Sequence, residues 1–154
     1  MAIASANTDI DINFSKNKFT NDVSIIRDAN SIRQSVMNIV LTIPGEKPFN
    51  RTFGTRLEDS LFDNFNYADT LEIQVEIRKT IERFEPRVQV EDIVLSDTPF
   101  NEIEPFVRGH REDAAKSGIS DTNQLYVYIS YFLVSSAAGA TVRDSITVGI
   151  KKVR

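Results

Sequence analysis

The stretch IERFEPRVQVEDIVLS, residues 81–96, decides the fold. Its first residues close a helical pattern, its middle sets Pro86 between Glu85 and Arg87, and its last residues alternate like a strand. Proline cannot donate to the helical ladder and disfavours helical backbone at the residue before it, so the helix ends here. Beyond Pro86, Val88 and Val90 share one face whereas Ile93 and Leu95 share the other. That slip, near Glu91 and Asp92, predicts a β-bulge or bend. A helix feeding directly into a strand points to helices packed on a sheet.

Upstream, NYADTLEIQVEIRKTIERF, residues 66–84, is the longest helical pattern, with Leu71, Val75, Ile73, Ile77, Ile81 and Phe84 as its apolar positions. Asp69 and Glu72 near its start and Arg83 near its end suit the helix dipole. Before it, DANSIRQSVMNIVLT places Ile32, Val36, Ile39, Val40 and Ile43 three and four apart, which predicts a helix from Asp28 with Asn30 or Ser31 as cap. Pro44 and Gly45 stop that helix. TIPGEKPFNRTFG, residues 42–54, reads as a loop because of its two prolines and two glycines. TRLEDSLFD, residues 55–63, predicts a short helix presenting Leu57, Leu61 and Phe62. In residues 1–27, Ile10, Ile12 and Phe14 alternate as one short strand or an arm.

Downstream, residues 96–123 are acidic and carry Pro99, Pro105, Gly109 and Gly118, the signature of an inserted excursion. QLYVYISYFLV, residues 124–134, sets Leu125, Val127, Ile129, Tyr131 and Leu133 against Tyr126, Tyr128, Phe132 and Val134, so both faces are apolar and want cover. The last segment places Val142, Ile146, Val148 and Ile150 on one face and Thr141, Arg143, Ser145 and Thr147 on the other. Only one face of that strand is buried, and Lys151 and Lys152 guard an open sheet edge. The expected fold is α+β: a small sheet with an antiparallel C-terminal hairpin and two or three helices packed on one face. Residues 28–154 form a single domain behind the arm.

Composition narrows the function. Acids outnumber bases by 22 to 18, which leaves a net charge of −4 and disfavours nucleic acid as a partner. There are no cysteines, which removes disulfides and thiolate chemistry. The opening MAIASANTDIDINF lacks the charged and apolar regions of a signal peptide, and no later run is long enough to span a bilayer, so a soluble, unexported chain is expected. His110 is the sole histidine, and no serine has one at a suggestive spacing, so neither a metal centre nor a hydrolytic triad is supported. No cofactor is expected.

The junction itself admits two readings. Proline fixes the turn, so Glu85 and Arg87 leave it in set directions and are able to meet a partner; equally, they are solvated charges at a capped helix end. Exposed pairs of this kind contribute only about 0–1 kcal/mol. A glycosidase would need two carboxylates about 5–10 Å apart across a cleft, one with a raised pKa. Glu82 and Glu85 are neighbours along a helix, Glu46 lies in a loop, and the chain has no tryptophan to stack on a sugar.

The string PGEKPFNRTFGTRLEDSLFD, preceded by SIRQSVMNIVLT and followed by FEPRVQV, resembles the contractile-tail baseplate wedge family, the gene product twenty-five type of T-even phages, with relatives in pyocin-like particles and type VI secretion baseplates. The matching positions are Thr42, Pro44, Gly45, Glu46, Lys47, Pro48, Asn50, Phe53 and Gly54, then Glu85, Pro86 and Arg87. Residues 28–95 carry the likeness, and the strands at 124–150 fit the family's C-terminal sheet. Residues 1–27 have no counterpart, and 96–123 is longer than a minimal member needs.

The resemblance implies a structural wedge protein, not an enzyme, that starts the tail sheath within a large symmetric hetero-oligomer. Its partners would be other wedge proteins and the sheath protein, with no nucleic acid and no membrane; its place would be the virion tail baseplate, assembled in the host cytoplasm. Glu85, Pro86 and Arg87 are then expected to meet neighbouring wedge proteins, and the strand of Val142, Ile146, Val148 and Ile150 to accept a sheath strand at its edge. A baseplate-associated peptidoglycan hydrolase is the alternative from another class. A small adaptor that binds through its sheet edge is a third reading.

Overall fold

Pro86 closes an 18-residue helix and opens a 9-residue strand, and the other elements are arranged around that joint. The computed structural model describes residues 7–60, 67–96, 124–134 and 141–151. In chain order these form β1 (Thr8–Ile10), β2 (Ile25–Arg27), α1 (Ala29–Leu41), α2 (Leu57–Ser60), α3 (Tyr67–Phe84), β3 (Val88–Ser96), β4 (Gln124–Val134) and β5 (Thr141–Lys151). Strands β3-β4-β5 make one antiparallel sheet, and β1 and β2 make a second. The fold is α+β with a C-terminal hairpin.

The slip in alternation is a bulge. Val88 pairs with Leu133 and Val90 with Tyr131, then the register shifts and Ile93 pairs with Ile129 and Leu95 with Val127. The extra residue brings Val88, Val90, Ile93 and Leu95 onto one face, and all four are buried. A bulge also disturbs the ladder locally. The Arg78 guanidinium on α3 answers this by donating to the Val90 and Glu91 carbonyls at 2.5 and 3.2 Å.

The helices bury the stripes that face the sheet. Ile32, Val36, Ile39 and Val40 of α1 join Leu57 of α2 and Ile73, Ile77 and Ile81 of α3 against Leu125, Val127, Ile129, Tyr131 and Leu133 of β4. Each such aliphatic side chain contributes about 1.5–3 kcal/mol on burial. Leu71 and Val75 depart from expectation: both are more than two-fifths exposed. They sit two positions from Ile73 and Ile77, about 200° around the helix, so a stripe containing the isoleucines excludes them. The expected cap also differs. Asp28 precedes α1 with φ 51° and makes no side-chain capping bond; its N–H donates to the Asn7 carbonyl at 2.9 Å. Ser31 is instead buried in the first turn.

The N-terminal segment is more than a single strand or arm: β1 and β2 pair as Thr8–Arg27, Asp9–Ile26 and Ile10–Ile25. Gln34 of α1 fastens this hairpin, its amide accepting from Ile12 N–H at 3.0 Å and donating to the Ile10 carbonyl at 2.9 Å, as a neighbouring strand's peptide group would. Leu61, Phe62, the 97–123 part of the excursion with His110, residues 135–140 and Lys152 lie outside the described residues.

Candidate functional site

Both charges of the junction turn out to belong first to this chain's own fold. Glu85 ends its helix with an N–H bond to the Ile81 carbonyl at 2.7 Å, and its own carbonyl accepts from Val88 N–H at 3.0 Å. Those two bonds, with Pro86 between, hold the turn. The Glu85 side chain is 3% exposed and takes a two-pronged bond from Arg87, Nε to Oε1 at 2.5 Å and the second amino group to Oε2 at 2.7 Å. Arg87 is 40% exposed and spends its remaining amino group on the Asn7 side chain at 2.7 Å. Burial pushes the Glu85 carboxyl upward, but the hydrogen bonds from Arg87 and Ser35 and the guanidinium charge outweigh it and hold it below the usual glutamate range. The sequence-based expectation that both charges await another chain is therefore revised for Glu85: it is an internal counter-ion that orients Arg87.

The loop between α1 and α2 is closed by its own backbone. Thr55 N–H donates to the Thr42 carbonyl at 2.9 Å, and the Thr55 hydroxyl donates to the Val40 carbonyl at 2.8 Å. Gly54 makes this closure possible, since its φ is +108° and a Cβ there would lie 2.0 Å from the Thr42 oxygen. Gly45 also has positive φ, +102°, in the turn after Pro44. Glu46 folds back to accept from Ile43 N–H at 3.1 Å, and Asn50 accepts from the Thr52 hydroxyl at 3.2 Å. Phe53 packs edge-on against Phe84 of α3 at 5.0 Å, with the Lys47 ammonium over its ring at 3.9 Å. Loop and junction thus meet through Phe84, the residue before Glu85. Pro48 is exposed.

The third part of the site is β5. It pairs with β4 over its whole length, and among the described residues its opposite edge has no strand partner. Ile146 and Val148 are buried in the core, Ile150 is half-buried against it, and Val142 is 53% exposed. An arriving chain would meet backbone along this edge rather than the buried isoleucine and valine. Asp144, on the same face, is held by the Arg33 fork at 2.5 and 3.3 Å and by the Tyr131 hydroxyl at 3.1 Å. Burial and the Asp144 charge push the Tyr131 phenol up to about 12, whereas Arg33 holds Asp144 low against its own burial. This cluster ties β5 to α1.

Sequence reasoning missed Asn7, Ser35, Arg33 and Asp144. Asp144 had a signal, because it interrupts the apolar run Val142, Ile146, Val148, Ile150, and a carboxylate on a core-facing position needs a partner. Asn7 had none, being 80 positions from Arg87.

A family model described as "Baseplate wedge protein gp25" matches residues 27–137, which include the loop, the junction and β4. The chain belongs to the baseplate wedge family. Baseplate wedge protein gp25 of Enterobacteria phage T4 is 36% identical over 75 residues, covering 47% of this chain and 55% of the T4 protein. The chain thus spans about half the length of that curated relative. Two solved structures share the fold at 20% identity. One is a provisionally named tail lysozyme from Geobacter sulfurreducens, with a TM-score of 0.59 over 85% of this chain and 97% of that one. The other is a chain of the anti-feeding prophage baseplate, with a TM-score of 0.60 over 86% and 90%. Strands β1 and β5 lie outside the family match.

Proposed function

We propose that this wedge-family chain docks among other baseplate wedge proteins and starts the tail sheath by offering β5 as a template strand. The observation that supports this reading best is the 11-residue β5, paired along one edge only among the described residues. A sheath strand added there would continue the β3-β4-β5 sheet, gaining main-chain hydrogen bonds and copying its register from the baseplate. The part-exposed Arg87 and the 44–54 loop would face the wedge. The assembly is a symmetric hetero-oligomer at the tail baseplate, built in the host cytoplasm, and needs no cofactor.

On this reading the chain is not a hydrolase. A general acid needs a carboxyl held neutral by a raised pKa, and Glu85 is held low by Arg87. Clearance of a peptidoglycan suspension by the purified protein, lost in Glu85→Gln, would contradict the assignment.

Deleting β5 is no test of its edge, because Ile146 and Val148 belong to the core. Proline at Val142 or at Arg143 is better. The two positions are adjacent, so one of them directs its N–H away from β4, and proline there removes an edge donor while sparing the internal ladder. That variant should fold and enter baseplates that fail to grow sheath. Sheaths of normal length with both variants would rule out strand addition at β5.

A further inference from the structure

The geometry points to Phe49 as an aromatic anchor, set on the closed 44–54 loop, for an apolar pocket rimmed by carboxylates on a neighbouring baseplate protein. This rests on the proposed baseplate role and names the chemistry of one partner. Phe49 has φ 63° and is fully exposed, at 108% of its reference surface. Left-handed backbone is uncommon outside glycine and is an outlier for a bulky side chain. Of the other such positions, Asn21 and Asp28 carry residue types that tolerate them, while Phe14, with φ 48° and 71% exposed, is a second strained aromatic but lies between β1 and β2, away from the family's loop motif. Phe49 gains nothing in exchange from the described residues. Phe53, four residues on, packs against Phe84, whereas among the described residues Phe49 has no ring contact and no place in the core cluster. Glycine or asparagine would suit the backbone better, and any polar residue would suit the water. A strained, exposed aromatic held by a firmly bonded loop is what an interface hot spot needs, since the side chain is already in place before binding.

The surrounding charge specifies the pocket. Within 44–54 the bases are Lys47 and Arg51, and the single acid, Glu46, is turned back onto Ile43 N–H at 3.1 Å. Lys47 and Arg51 are exposed, as is Arg83, which lies over Phe84 at 5.2 Å. The loop is thus locally basic on a chain of net charge −4. A carboxylate-rimmed pocket complements it.

The test uses the full chain, the purified wedge complex of the same particle lacking this protein, and native mass spectrometry with thermal melts. Phe49→Asn should melt at or above the wild-type temperature and bind the wedge at least tenfold more weakly, while Phe49→Leu keeps most of the binding. Lys47→Glu with Arg51→Glu should weaken binding too, and more at low salt than at high. With p-benzoylphenylalanine at position 49, the cross-linked wedge peptide should carry apolar residues flanked by Asp or Glu. A melting temperature several degrees lower in Phe49→Asn overturns the assignment, because Phe49 would then serve the fold. Wild-type binding matched within twofold by Phe49→Asn overturns it while leaving the baseplate role standing; absence of wild-type binding overturns both. Cross-linking to a second copy of this chain, or a fluorescein-labelled oligothymidylate bound by wild type and released by Phe49→Asn, overturns the acidic protein partner.

Discussion

The family motif falls into two regions that are put to opposite uses. At the junction, Glu85 is 3% exposed and every part of its carboxylate is answered within the chain. On the loop, Phe49 is fully exposed and strained, answered by nothing among the described residues. Sequence alone presents both as segments with a proline and conspicuous side chains. The difference teaches that charge next to proline is poor evidence of an interface, because a buried ion pair is satisfied wherever geometry permits, whereas a bulky aromatic held exposed in left-handed backbone serves no need of the described fold.

Substitutions can break that contrast, and the largest effect belongs to neither side chain. Gly54→Ala should destabilise by about 3 kcal/mol or more, since a Cβ would strike the Thr42 oxygen and the loop would have to reopen. A denaturation midpoint near wild type would mean that the loop closes in some other way. Next comes an asymmetry within the junction. Arg87→Ala leaves the Glu85 carboxylate buried without its counter-ion and should cost about 3 kcal/mol, whereas Glu85→Gln leaves a guanidinium that reaches water and should cost about 1–2 kcal/mol. Equal costs would show that Arg87 is no better solvated than Glu85.

Acid should sharpen the same contrast. Glu85 and Asp144 both titrate below their ordinary values in the folded chain. Their contribution is therefore complete above the unfolded carboxylate range, about pH 4–4.5, and is lost as pH falls through the lower folded values. Urea midpoints should be flat near neutrality and fall below about pH 4.5, and this fall should be shallower in Glu85→Gln. Tyr131 acts at the other end: raised to about 12, it favours folding below about pH 10 and loses that contribution between there and 12. The smallest effect is expected from Asn7→Ala, which removes one bond to a part-exposed guanidinium and should cost about 0.5–1.5 kcal/mol.

Much of the fold was legible because burial writes periodicity into the chain. Val88, Val90, Ile93 and Leu95 announced the bulge by falling out of phase, and Ile32, Val36, Ile39 and Val40 announced α1. Leu71 and Val75 misled because each is apolar and four apart, and only the sheet decides which of two stripes is covered. The pairing of β1 with β2 was not legible, since three-residue strands give too little alternation and Gln34, which fastens them, looks like any polar helix residue. The candidate site divides in the same way. Gly54 was visible from its place after a helix-stopping loop, but the mutual satisfaction of Glu85 and Arg87 depends on Asn7 and Ser35, which no local pattern connects to them.

The proposal that β5 seeds the sheath is tested most directly by hydrogen–deuterium exchange across residues 141–151, with and without the purified sheath protein. In the free protein, amides that point to β4 should exchange slowly and alternate amides, facing the open edge, quickly. The account predicts that sheath protein slows the second set. Unchanged exchange along β5, in a sample where sheath has demonstrably assembled on the baseplate, would contradict it.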